Sequence, residues 1–220
     1  MSAINHVLLL LRKDLTVEIR RGQEILAIFI FPLAIITSLS FTVSTMQLAD
    51  FPVYHLVWPL MLFEAIFLTT TIFTREVEKG TINGIKLLPC SPTVICIAKS
   101  LYTFIFTLLT SIEALILLTF FSRLKPPPTS AYYVVALVAV SIALISTFSS
   151  ALTMHSEGKF IVIPFIVTFL SIPSLSLGAL GLQKSILNMT VDDELKILSA
   201  LILVVALVDG LLMSVEVEEE

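Results

Sequence analysis

Six long apolar stretches constrain this chain more than any other feature: residues 25–46, 53–74, 94–121, 131–154, 160–182 and 195–215. Each is long enough to span a bilayer core, which takes about 20 residues of helix. No water reaches that depth to satisfy backbone groups, so such segments must be helical, and none shows the alternation of a membrane β-barrel strand. Of the 220 residues, 57% are hydrophobic and only 14% are charged, against about 25% charged in a soluble globular chain. The expected fold is an all-α membrane protein with six transmembrane helices over residues 25–215. The connections are too short for a folded soluble domain, and no GxxxxGK[ST] phosphate loop is present. The chain is therefore expected not to be an enzyme and to have no nucleotide site of its own.

Orientation follows from the basic residues, which accumulate in cytoplasmic connections. Arg12, Lys13, Arg20, Arg21, Arg75, Lys79, Lys86, Lys99 and Lys159 fall on one side, nine in all, against Arg123, Lys125, Lys184 and Lys196 on the other. Both termini are expected in the cytoplasm, in a multi-pass protein of the cytoplasmic (inner) membrane. Residues 1–24 are too charged to span, yet Ile4, Val7, Leu8, Leu11, Leu15 and Ile19 recur at helical spacing, which predicts an amphipathic helix in the interface. Residues 216–220 form an acidic tail. Cys90 and Cys96 match neither a CxxC redox pair nor a zinc framework, and no metal site is expected.

Residues 75–92, between the second and third crossings, are the most informative connection. Gly80 suits a helix C′ position, Thr81 can cap a short helix bearing Ile82, Ile85 and Leu88, and Ser91 before Pro92 reads as the start of the third crossing. Such a helix can seat in a groove of another protein; an ordinary capped loop is the alternative.

These residues resemble a known family. The arginine-glutamate pair Arg75-Glu76, the turn Glu78-Lys79-Gly80-Thr81, the run Leu87-Leu88-Pro89-Cys90-Ser91-Pro92 and the downstream Lys99 are similar to the coupling segment of ABC-2-type transporter permeases. Lys13-Asp14-Leu15 with Glu18 and Arg20, the run Phe73-Thr74-Arg75-Glu76, Gly84, Glu113, and Pro164 and Pro173 resemble the haem exporter protein B family, CcmB, over nearly the whole chain. The resemblance implies a permease subunit for cytochrome c maturation, acting in haem export or in ATP-driven release of a haem-loaded chaperone. It implies a separate cytoplasmic ABC ATPase that handles ATP, haem-handling membrane proteins, a haem chaperone and a homodimeric arrangement as partners, with haem as a handled ligand and no nucleic acid. The ATPase-coupling residues it marks are Arg75, Glu76, Glu78, Lys79, Gly80, Ile82, Ile85 and Leu88. An ABC-2 permease for a drug, lipid or polysaccharide, or a scaffold without a transport cycle, are the alternatives.

Within the spans, Glu64, Glu113 and Asp209 are candidate polar sites, because an ionisable group at mid-bilayer is costly and faces protein or water. Their sequence positions put them at different depths, which argues against one shared carboxylate site. His55 beside Trp58, at an aromatic-belt position, is the one histidine on the outer side. In the fifth crossing, Ser174 and Gly178 form a small-xxx-small pair beside Pro164 and Pro173, which predicts a bent, tightly packed helix.

Overall fold

A computed structural model describes residues 3–20, 22–45, 53–81, 84, 90–122, 125–154 and 156–218. Among these residues every regular element is a helix. Helix α1 spans Ala3–Arg20 and α2 spans Gln23–Thr45. A 3-10 turn, Val53–Leu56, leads into α3, Val57–Ile72, and Phe73 separates α3 from the short α4, Thr74–Glu78. Then come α5, Pro92–Ser122; α6, Thr129–Thr153; α7, Lys159–Ile186; and α8, Asp192–Glu218. Each apolar stretch coincides with a helix to within a few residues. Among the described residues, four helical runs are long and apolar enough to cross a membrane: Val53–Glu78, Pro92–Ser122, Thr129–Thr153 and Lys159–Ile186. Leu26–Leu39 is a shorter apolar helix.

Helix α6 lies at the centre, in contact with α3, α5, α7 and α8, and α5 lies beside it, also touching α1 and α2. Composition explains the position of α6. Lipid tails are as apolar as leucine, so helices associate through close packing and hydrogen bonds, which small and hydroxylated residues allow. Ala139, Ser141, Ala143, Ser146, Ser149 and Ser150 are all buried on this helix. The hydroxyls of Thr147, Ser149 and Thr153 donate to carbonyls one turn back. Others bond across helices: Ser141 and Ser174 share a bond at 2.6 Å, and the Ser100 hydroxyl donates to Thr147 at 3.1 Å.

The close approach of α7 rests on its glycines. A Cβ on Gly178 would lie 2.7 Å from Val138 Cγ2 and 2.9 Å from Trp58 Cη2, and one on Gly181 would lie 3.1 Å from Val134. The expected tight packing at Ser174 and Gly178 is present. Trp58 itself is buried against this glycine, with its indole among the core residues, so it fills the gap a glycine opens instead of anchoring an interfacial belt.

The amphipathic N-terminal helix is also present, but its stripe divides. Leu11 and Leu15 pack against Ile28, Leu68, Tyr102 and Phe106, whereas Ile4, Leu8 and Ile19 remain exposed to the surroundings. Helix α1 is thus part of the bundle on one face, with apolar surface left for lipid on another.

Overpacking a tight helix contact costs about 1–3 kcal/mol. Gly178→Leu is expected to destabilise the protein by that order in an SDS unfolding titration, because Val138 and Trp58 must both move. Gly210→Ala, where a Cβ meets nothing within 4 Å, is expected to leave the midpoint unchanged.

Candidate functional site

The short helix α4 ends in a Schellman arrangement. The N–H of Gly80 donates to Val77 O at 3.0 Å and that of Thr81 to Glu76 O at 2.8 Å, with Gly80 at φ 65°. Glycine adopts that left-handed conformation without a Cβ clash, which is why the helix stops there. The expected C′ role of Gly80 is met. Thr81 behaves otherwise than expected: its hydroxyl turns back to Glu76 O at 3.3 Å, while its carbonyl accepts from Gly84 N–H at 3.0 Å. Ser91 bonds the Thr93 hydroxyl at 2.8 Å, and α5 starts at Pro92 as expected. Ile82, Ile85 and Leu88, and the side chain of Arg75, lie outside the described residues.

At the other end of α4, the break after Ile72 is held by α6: the Phe73 N–H donates to the Ser150 hydroxyl at 3.2 Å. This capped break directs Glu76 toward α5 and α1, where four charged residues meet. Lys99 Nζ lies 2.9 Å from Glu76 Oε1 and 3.1 Å from Asp14 Oδ2. Lys13 Nζ lies 2.9 Å from the same Glu76 oxygen and 3.2 Å from Asp14 Oδ1. Two lysines and two acids therefore alternate across α1, α4 and α5. Lys99 is only 5% exposed and also lies 5.6 Å from the centre of the Phe73 ring, so its charge has little access to water. A buried charge is tolerated only when paired, and the two carboxylates meet that need.

Lys13 is the outer member, with a side chain 45% exposed. Burial pulls its pKa down, but the hydrogen bond to Glu76 and the charges of Asp14 and Glu76 outweigh this and raise it above the ordinary lysine value of 10.5. A raised lysine contributes stability fully below its unfolded pKa and loses it only as pH rises through the folded value. The Lys13 links are accordingly intact at neutral pH. Glu78 extends the network, since Lys159 Nζ at the start of α7 lies 3.1 Å from its Oε1. A cavity of about 330 Å³ adjoins the cluster, lined by Lys13, Asp14, Glu76, Lys79, Thr81 and Lys99 among others. Of the coupling residues, Glu76 belongs to the cluster and Lys79 lines the adjoining cavity, while Glu78 pairs with Lys159 and Gly80 forms the turn that ends α4.

Of the three candidate acids, one is bonded across helices. The Thr110 hydroxyl of α5 donates to Glu64 Oε2 of α3. Glu113 lies three residues, about one helical turn, beyond Thr110 on α5. Asp209 stands apart on α8, buried and without a hydrogen-bond partner on either oxygen. His55 sits half-buried in the 3-10 turn. No group of three or more potential metal-ligating side chains occurs among the described residues.

The four-way cluster is what sequence reasoning missed. Lys13, Asp14, Glu76 and Lys99 were each marked by resemblance, but nothing in their separations, 62 residues from Asp14 to Glu76 and 23 from Glu76 to Lys99, pairs them. The available signal was Lys99 itself: a lysine seven positions into a helix that opens at Pro92 needs a counter-charge.

The CcmB protein family model matches residues 5–218. A comparison with curated proteins gives no match.

Removing one partner of a buried ion pair costs about 3–5 kcal/mol, whereas a largely exposed pair contributes about 0–1 kcal/mol. Lys99→Met is expected to destabilise the purified protein by about 3 kcal/mol, and Lys13→Gln by less than about 1 kcal/mol, in the same unfolding titration. Combining Lys99→Met with Glu76→Gln should recover part of the loss, because fewer unpaired acids remain.

Proposed function

The chain belongs to the CcmB family, whose members are membrane components of haem export for cytochrome c maturation, and we propose that it works as the permease subunit of an ABC transporter complex. In this reading six helices, α2, α3 and α5–α8, cross the cytoplasmic membrane with both termini in the cytoplasm, and residues 75–92 form the docking segment for a separate ATPase. The nine-to-four distribution of basic residues supports the orientation. The observation that carries the coupling role is the cluster. Glu76 on α4 is bonded to Lys99 on α5 and Lys13 on α1, and Glu78 to Lys159 on α7. A force applied to the docking segment reaches three further helices through charged contacts, without passing through the loop backbone.

ATP binding and hydrolysis belong, in this reading, to the partner. The chain converts the partner's cycle into movement of helices that handle haem or release its loaded chaperone, together with haem-handling membrane proteins, in a homodimeric arrangement. The Glu64–Thr110 bond supplies a polar contact between α3 and α5 within the membrane. Haem is cargo here, not a resident group.

Two experiments test the reading. For topology, a cysteine replacing Asp193, whose side chain is 83% exposed, should react with an impermeant maleimide from outside, and one replacing Asn83 only after permeabilisation. External labelling at Asn83 would reverse the orientation. For coupling, Ile85→Asp should leave membrane abundance intact and reduce co-purification of the ATPase, since an unpaired charge in an apolar groove is costly. Normal ATPase stoichiometry in that variant would remove the docking assignment.

A further inference from the structure

Helix α8 touches α6, α7 and α5, and a cavity of about 450 Å³ lies between α5, α6 and α8, within the size range of small-molecule pockets, about 300–1,000 Å³. Its walls are apolar along most of their length, with Leu101, Phe104, Val140 and Leu144 prominent. At one end stands Asp209, only 4% exposed, with neither carboxyl oxygen hydrogen-bonded. Buried polar atoms in native proteins nearly always have partners, so an acid with two bare oxygens facing a cavity points to a bound donor. Cys96 and Ser100 line the same cavity, and Cys96 lies within electrostatic range of Asp209.

The level of this end within the membrane is set by α5. Cys96 and Ser100 flank Lys99, within one helical turn of about 5.4 Å, and Lys99 pairs with the charges of α1. Asp209 therefore sits at the depth of the interfacial helix, where lipid headgroups lie, while the apolar walls run from there toward the bilayer centre. Ile97, on the rim, is 51% exposed, so the cavity opens sideways to lipid. A polar end at headgroup depth and an apolar remainder at chain depth match one occupant in shape and chemistry: a phospholipid.

The donor must satisfy both oxygens of one carboxylate. A primary ammonium has three N–H donors, whereas a quaternary choline head has none. We propose that this cavity is a binding site for an aminophospholipid of the leaflet nearest α1, with the ammonium on Asp209, an acyl chain along Leu101 and Val140, and the phosphate at the mouth near Thr93. The proposal deepens the permease reading and rests on α8 being membrane-embedded. Occupancy would brace α8 against α5 on the face of α5 opposite the charged cluster.

The test uses the full chain purified in mild detergent, exchanged into mixed phosphatidylethanolamine, phosphatidylcholine and phosphatidylglycerol, and analysed by native mass spectrometry. Retained phosphatidylethanolamine should exceed phosphatidylcholine by about tenfold, the ratio that one charge-assisted hydrogen bond sustains. The preference should vanish in Asp209→Asn. It should vanish together with the bound lipid in Gly210→Leu, which places a side chain into the cavity where a Cβ meets no neighbour. Equal retention of the two lipids by the unaltered protein, or an undiminished preference in Asp209→Asn, overturns the proposal. So does a photoreactive group at Ile97 that cross-links to a protein chain in the assembled complex instead of to lipid. A cysteine replacing Val204 separates this from failure of the span: it should resist an impermeant maleimide from both sides, and its labelling would sink the embedded helix, not the lipid chemistry.

Discussion

A lysine almost sealed from water is the constraint around which one end of this protein is organised. Lys99 has little access to bulk solvent, so its charge requires carboxylates at hydrogen-bonding distance, and the chain supplies them from two distant segments. Asp14 comes from a helix that lies beside the bundle, Glu76 from a five-residue helix whose start is bonded to α6 and whose end is a glycine turn. Removing water strengthens the attraction between these charges and also raises the cost of separating them. The elements they join are held in one arrangement unless all four charges rearrange together. In the proposed permease reading, that property suits a segment on which a partner acts, because a displacement of α4 is passed on to α1 and α5.

Away from the cluster the protein is assembled by small and hydroxylated side chains. Gly178 admits Trp58 and Val138, the Ser141–Ser174 bond joins α6 to α7, and Thr110 satisfies one oxygen of Glu64. These contacts specify which helices are neighbours in a solvent where apolar burial alone does not discriminate. The Lys184 ammonium bonds Glu194 near the opposite end of α7 and α8 and holds that carboxyl below its usual range. The Tyr54 hydroxyl likewise donates to Lys125 O at 2.6 Å, clasping the 3-10 turn to the segment before α6.

The helices were legible in the sequence because each is written as a continuous apolar run, and length alone separates such runs from strands. So were the stop at Gly80 and the start at Pro92, which depend on one residue's backbone freedom. Pairings between helices were not legible. The Glu64–Thr110 bond joins α3 to α5, yet 46 residues separate its partners and nothing in either segment names the other. Trp58 near a helix end reads as an interfacial aromatic, since that position says nothing of the glycine opposite it. Thr81 and Ser91 have the composition of helix caps, yet both hydroxyls found nearer partners in Glu76 O and Thr93. Where the partner lies on another helix, as for Trp58 and Glu64, only the tertiary placement supplies it.

The central claim is that the charged cluster transmits the ATPase cycle to the membrane helices, and holocytochrome c yield in cells measures it most directly. The comparison is between the unaltered chain and the paired neutral variant Lys99→Met with Glu76→Gln, at matched membrane abundance and with the ATPase still bound. The account predicts that holocytochrome c falls to background while the complex stays assembled. Full cytochrome maturation by that assembled variant would contradict it.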